Sequence, residues 1–241
     1  MKLRYFQKGF NFSQDGPGNR LVYHLQGCNM HCPWCSNPEG ILITRACEEK
    51  NVEEVLNEIL SCKPMFFENG GVTFTGGEAS LQMEAVFYLM QKAKENGVST
   101  AIETNATVNL EKLAPVCDYF MIDFKHPNGE KLKEITGVSN QTICENIRKL
   151  SKIKCIHLRI PLIHSFNDSK TDLEGFLRFF TSLLEEGGAF TVELLPYHEY
   201  GKEKWEKLHQ IYTITNGFPS PETIDLFMKS FQNSGFTVIK T

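Results

Sequence analysis

Short runs of β-branched and aromatic residues alternate with amphipathic segments along the whole chain, and nothing else in the sequence constrains the fold as tightly. Strand and helix in alternation are the signature of βαβ units, which build a parallel sheet covered by helices. Candidate strands fall at 21–26, 72–75, 98–103, 119–124, 155–161, 190–195 and 236–240.

The helices between them follow from spacing. Val52, Val55, Leu56, Ile59 and Leu60 recur at helical intervals and form one apolar stripe, with Asn51 as N-cap and Glu54 three residues on. Ser80 is placed to cap a second helix running to about Glu95, where Asn96-Gly97 supplies a left-handed stop. A third covers 144–150 through Ile147 and Leu150. A fourth carries Leu173, Phe176, Leu177, Phe180 and Leu184 and ends at Gly187-Gly188. The last opens on Ser220-Pro221, a cap followed by proline, and buries Ile224, Phe227, Met228 and Phe231.

About six βα units fall short of the eight that close a full barrel. The expected class is therefore α/β, a partial (β/α)6 TIM-like barrel open on one side, formed by 1–241 as a single domain. Chemistry in such folds gathers at the C-terminal ends of the strands.

A formal charge of −4 without a basic cluster argues against nucleic acid as the main partner. The N-terminus lacks a signal-peptide apolar run, and no stretch approaches the roughly 20 apolar residues of a membrane span. A cytoplasmic protein with no membrane partner is expected. Of eight cysteines, three crowd into eight positions, which favours a metal site over disulfides. The other five, Cys47, Cys62, Cys117, Cys144 and Cys155, are scattered and read as small buried hydrophobes.

Cys28, Cys32 and Cys35 form a CxxxCxxC motif directly after the first candidate strand. Three thiolates on one loop can wrap a compact site, yet four are needed to saturate a tetrahedral zinc or every iron of a [4Fe–4S] cube. One corner is left open to a chelating ligand. A structural zinc completed by His24 or His31 is the alternative on spacing alone. Further on, Gly76-Gly77-Glu78 ends the second candidate strand with a turn that allows close backbone approach and places a carboxylate able to accept from an ammonium group.

With Trp34 before its last cysteine, the motif resembles that of the radical S-adenosylmethionine superfamily. The likeness narrows to the glycyl-radical-enzyme activating enzymes on five stretches in order: 15–20 (DGPGNR), 70–79, 121–125 (MIDFK), 137–140 (GVSN) and 193–202 (ELLPYHEYGK). It implies one [4Fe–4S] cluster on Cys28, Cys32 and Cys35, with S-adenosylmethionine on the open iron. Catalysis would rest on these cysteines and Asp15. Trp34, Ser36, Gly77, Glu78, Asp123, Phe124, Lys125, Arg159 and His198 would contact the cofactor or the target glycine loop. A monovalent cation, Na+ or K+, would sit on Glu103, Thr104, Met121 and Asp123, although Glu103 is longer than the acid of its relatives. No second cluster is expected from Cys47 and Cys62.

The implied partners are a glycyl-radical enzyme such as pyruvate formate-lyase, engaged through its glycine loop, and a flavodoxin- or ferredoxin-type reductant. The Gly16-Pro17-Gly18 segment is expected to be mobile and to order over the bound peptide. A radical enzyme acting on a small molecule, or a non-enzymatic iron–sulfur or zinc protein, are the competing readings.

Overall fold

The computed structural model describes residues 1–44 and 47–239, and the class is the expected one, α/β with a mainly parallel sheet that is not closed into a barrel. The chain divides into two compact units. The first comprises Met1–Asn29, Asn37–Thr104 and Val108–Met121; the second comprises Met30–Ser36, Asn105–Thr107 and the chain from Ile122 onward.

In the first unit β1 (Lys2–Phe12), β2 (Asn19–Leu25), β3 (Glu48–Asn51), β4 (Gly71–Gly76) and β5 (Ser99–Thr104) lie in the order β3-β1-β2-β4-β5. β2, β4 and β5 are parallel, as βαβ connections require. β1 and β3, which the sequence pattern did not reveal, pair antiparallel. The reason is local. The register of β1 shifts between Tyr5 and Gln7, which breaks its inside–outside alternation, and β3 is Glu-Glu-Lys-Asn with no apolar residue.

Two helices cover this sheet. In α1 (Val52–Ser61) Val52, Val55 and Ile59 are buried, while Leu56 and Leu60 stay half-exposed at the edge of the stripe. α2 (Met83–Glu95) starts later than expected, because Ala79–Gln82 form a 3-10 turn capped by Glu78 rather than Ser80. It stops as read from sequence, with Gly97 at φ +71°.

β6 (Tyr119–Asp123) leads the chain out of the first unit. In the second, β7 (Ile156–Leu162), β8 (Phe190–Pro196) and β9 (Val238–Ile239) are parallel neighbours; Lys240, the last residue of the predicted seventh strand, lies outside the described residues. The helices are α3 (Gly129–Thr136), α4 (Gln141–Ser151), α5 (Lys170–Glu185), α6 (Lys202–Lys207) and α7 (Pro221–Asn233), of which α3 and α6 were not anticipated. α5 begins with a capping box between Ser169 and Asp172, and α7 with Ser220 accepting from the Thr223 N–H.

Phe176, Phe180, Phe227 and Phe231 are fully buried, and Phe180 meets Phe190, Phe231 and Phe236 at centroid distances of 5.6 to 5.8 Å. Each such ring contributes about 2–3 kcal/mol of burial. Ile224 and Met228, expected inside, instead line a groove with Leu194, Pro196 and Ile239, edged by Asp225, Lys229 and Gln232.

Candidate functional site

The cysteine loop begins where β2 ends. Gly27 adopts φ +103°, a conformation that favours glycine, and so turns the chain toward Cys28. Its N–H donates to the Gly40 carbonyl (2.8 Å), and the Cys28 N–H donates to that of Ile41 (3.0 Å). The end of β4 locks into the same place: the Gly77 N–H donates to Leu25 and the Glu78 N–H to Gly27, both at 2.7 Å. A methyl group on Gly77 would lie 2.4 Å from the Gly27 oxygen and 2.5 Å from the Gly40 oxygen. The Gly-Gly turn thus permits a backbone-on-backbone approach beside Cys28.

Glu78, read as a carboxylate aimed at a ligand ammonium, is 1 % exposed, and its Oε1 accepts from the Ser80 N–H (3.0 Å) and the Ser80 and Thr104 hydroxyls (2.5 Å each). One oxygen is committed to organising the turn. Glu103 accepts from the Thr75 hydroxyl (2.6 Å), and Thr104 and Met121 are buried.

The loop carrying Asp15 is held by several hydrogen bonds. The Ser13 N–H donates to the Gly18 carbonyl (3.0 Å), the Thr73 hydroxyl to that of Asp15 (2.7 Å), and Arg20 Nη1 to that of Pro17 (3.1 Å). Asn11 donates to the Asp15 carboxylate. Arg20, which sequence reading gave no role, is wholly buried and donates further to Thr73 Oγ1 (2.7 Å) and the carbonyls of Val72 (2.8 Å) and Ser99 (3.2 Å). Burial lowers its pKa to about 10, partly countered by surrounding negative groups.

The remaining site residues belong to the second unit. Cys32 is buried and Cys35 half-buried, and the Cys35 N–H closes a turn onto the Cys32 carbonyl (3.1 Å). Trp34 packs on Phe166 at 4.5 Å. The carbonyl of Phe166 lies 3.0 Å from Nε2 of the buried His126, whose Nδ1 accepts from the Asn128 N–H (2.9 Å). The imidazole is therefore the neutral Nε2–H tautomer. Ser36 is half-buried, with its Cα against Gly201.

At the end of β6, Asp123 Oδ2 accepts from Lys125 Nζ (2.8 Å). Burial alone would raise the pKa of Asp123, but the charges of Lys125 and then Arg159 outweigh it and hold the carboxyl below its ordinary value. Its Oδ1 is buried and has no hydrogen-bond partner among the described residues. Across β7 and β8 the buried Glu193 carboxylate lies 2.9 Å from His157 Nε2 and 3.4 Å from Arg159 Nε. Glu193 and His157, like Arg20, were legible only as polar residues inside apolar strands.

Phe124 points elsewhere. It is 1 % exposed and stacks on Phe179 (4.7 Å) with Phe176 and Phe180 around it, so its ring belongs to the core under α5. Only its backbone can face a ligand. His198 is half-buried and stacked on Tyr200 at 4.2 Å, and burial lowers its pKa.

Cys28, Cys32 and Cys35 form no disulfide. Among the described residues no group of three or more His, Cys, Asp or Glu side chains is arranged to hold a metal ion. A [4Fe–4S] cube asks for one thiolate at each of three separate irons, and this donor set, one thiol short of saturation, fits it. The buried, unpartnered Asp123 Oδ1 leaves an acceptor for a polar ligand at the end of β6. The expectation that the other cysteines are buried holds for Cys117 alone: Cys47, Cys62 and Cys144 are half-buried, and Cys155 is exposed.

The sequence profile of the radical SAM superfamily matches residues 22–179. The chain is 36% identical over 211 residues to the pyruvate formate-lyase-activating enzyme of Staphylococcus aureus (strain NCTC 8325 / PS 47), covering 83% of each chain. A domain of pyruvate-formate lyase-activating enzyme from Bacteroides vulgatus ATCC 8482 superposes with a TM-score of 0.59 at 23% identity, over 70% of this chain and 98% of that one. A radical SAM methyltransferase from Sphaerobacter thermophilus superposes with a TM-score of 0.69 at 15% identity, over 95% of this chain and 67% of the other. The two structural likenesses speak to the fold.

Proposed function

Because this chain belongs to the radical SAM superfamily, and within it to the pyruvate formate-lyase-activating enzyme family, we propose that it activates a partner glycyl-radical enzyme by taking a hydrogen atom from a glycine Cα. The observation that carries this reading is the likeness to an activating enzyme across 83% of both chains, with the CxxxCxxC loop intact. Cys28, Cys32 and Cys35 would hold a [4Fe–4S] cluster, which together with S-adenosylmethionine would supply the one-electron, hydrogen-abstracting radical chemistry.

The chain's own residues hold and orient. Gly27, Gly40 and Gly77 bring three backbone segments together and fix the direction in which Cys28 leaves β2. Glu78, held by Ser80 and Thr104, keeps a negative charge beside that turn for the methionyl ammonium. Lys125 and Arg159 offer positive charge to the methionyl carboxylate, with Asp123 and Glu193 restraining them. Trp34, Ser36 and Gly77 line the cofactor, and His198, neutral through burial, closes on the ribose by hydrogen bonding rather than by charge. Phe124 contributes through its backbone. A monovalent cation, Na+ or K+, on Glu103, Thr104, Met121 and Asp123 completes the carboxylate site.

Asp15, on a loop preset by Arg20 and Thr73, receives the glycine loop of the partner. A flavodoxin- or ferredoxin-type protein serves as reductant. Residues 1–241 act as one catalytic domain in the cytoplasm. Among the described residues no helix is long and apolar enough to cross a membrane.

A peptide bearing the glycine loop, deuterated at Cα, tests the proposal. Under anaerobic reduction it should stimulate 5′-deoxyadenosine formation and place deuterium in that product. Deuterium arriving from a small molecule, and from no glycine peptide or intact glycyl-radical enzyme, would refute it.

A further inference from the structure

The carbonyl of Cys35 is gripped from far along the chain. The indole N–H of Trp205 donates to it at 2.9 Å, across 170 residues. Gly201 packs on the same oxygen so closely that a methyl group there would stand 2.3 Å from it and 2.9 Å from the Ser36 Cα. Both contacts come from one turn, since the Trp205 N–H donates to the Gly201 carbonyl (3.1 Å) and so sets the indole over the glycine. Behind the indole, Tyr212 meets it edge-on at 6.0 Å, and the Tyr212 hydroxyl bonds that of Tyr197 (2.7 Å).

We propose that Trp205 is a positioning residue for the iron–sulfur site, acting through the Cys35 carbonyl. Fixing a carbonyl fixes the peptide plane that follows its Cα, and with it the direction in which the thiol of that residue points. Cys35 closes the loop, and after it the chain runs on through Ser36 toward Asn37. The turn to Cys32 engages its N–H, while its carbonyl is held from outside the loop. Trp205 supplies that hold with a rigid ring whose single donor has no other use, and Gly201 supplies the room for it. The inference rests on Cys35 being a cluster ligand, not on which substrate the radical reaches.

The test compares wild type with Trp205→Phe, which keeps an aromatic ring and removes the donor, and with Gly201→Ala, which crowds the same oxygen. Each is reconstituted anaerobically, iron loss to a chelator is timed, and the electron paramagnetic resonance spectrum of the reduced cluster is recorded. Thermal unfolding of each apo-protein is followed in parallel. Both variants should take up iron to the wild-type level. Trp205→Phe should lose it roughly threefold to tenfold faster, about 0.7–1.4 kcal/mol or one hydrogen bond, with a shifted spectrum and a nearly unchanged apo midpoint. Release at the wild-type rate with an unchanged spectrum would overturn the proposal. So would faster release matched by an equal loss of apo stability, which would assign Trp205 to the fold. A wild-type protein that binds no cluster would refute the ligand assignment instead.

Discussion

Replacing Gly77 by alanine tests the close approach of three backbone segments on which the cysteine loop is built. Gly77 needs no unusual dihedral, so the effect isolates packing. The added methyl group would meet Gly27 O at 2.4 Å and Gly40 O at 2.5 Å, both backbone atoms that cannot swing aside. Forcing an extra carbon into a filled site costs about 1–3 kcal/mol. Relief by separation stretches the bonds from Gly77 to Leu25, Glu78 to Gly27 and Gly27 to Gly40, now 2.7 to 2.8 Å long, at about 0.5–1.5 kcal/mol for each one lost. A total near 2–4 kcal/mol is expected. Gly9→Ala is the control: nothing lies within 4 Å of its added carbon and its φ is ordinary, so it should be neutral or stabilising by up to ~1 kcal/mol. Urea unfolding of the two apo-proteins measures the difference, and equilibrium binding of S-adenosylmethionine to the reconstituted forms measures the consequence at the site. Affinity in Gly77→Ala should fall at least about tenfold, the equivalent of 1.4 kcal/mol. If Gly77→Ala unfolds at the same urea concentration as Gly9→Ala and binds the cofactor normally, the packing reasoning is wrong.

Serine at Cys28, Cys32 or Cys35 should abolish 5′-deoxyadenosine formation, whereas alanine at Cys47 or Cys62 should not; iron near eight per chain would contradict a single cluster. His198→Phe should weaken S-adenosylmethionine binding about tenfold, a loss of ~1.4 kcal/mol, while the cluster absorption stays as in wild type. Glu78→Gln keeps an acceptor for Ser80 and Thr104, so thermal stability should hold while cofactor affinity drops; normal affinity would remove Glu78 from the ammonium site. His126 titrates below the ordinary histidine value of 6.5, chiefly because burial penalises the imidazolium, with Asp172 and the Phe166 carbonyl pulling the other way. The unfolded chain thus takes up its proton first, so stability present above pH 6.5 is lost as the pH falls toward the folded pKa. His126→Gln should flatten that part of a urea-midpoint profile between about pH 7 and 5, and an unchanged slope would place the titration elsewhere.

Local pattern carried much of this protein. Residues a few positions apart decide whether a segment is strand or helix, so β2, β4 to β8 and the long amphipathic helices were readable, as were the Asn96-Gly97 stop and the Ser220-Pro221 cap. The cysteine spacing was equally local and announced a three-thiol site with one coordination position to spare. Pattern failed where the determinant was a distant partner. β3 has no apolar residue and exists because β1 pairs with it, and α6 spans only Lys202–Lys207 and buries no side chain. Periodicity told that Phe124 lies at a strand end, but only the stacking of Phe179 from α5 decided that its ring turns to the core. The same holds for Glu78, committed to Thr104 from the next strand, and for Trp205, whose single donor reaches Cys35 across 170 residues. Where a segment carries its own apolar period, its secondary structure is settled by residues close along the chain; an edge strand such as β3 and the direction of a functional side chain are settled by whichever atoms the fold brings beside them.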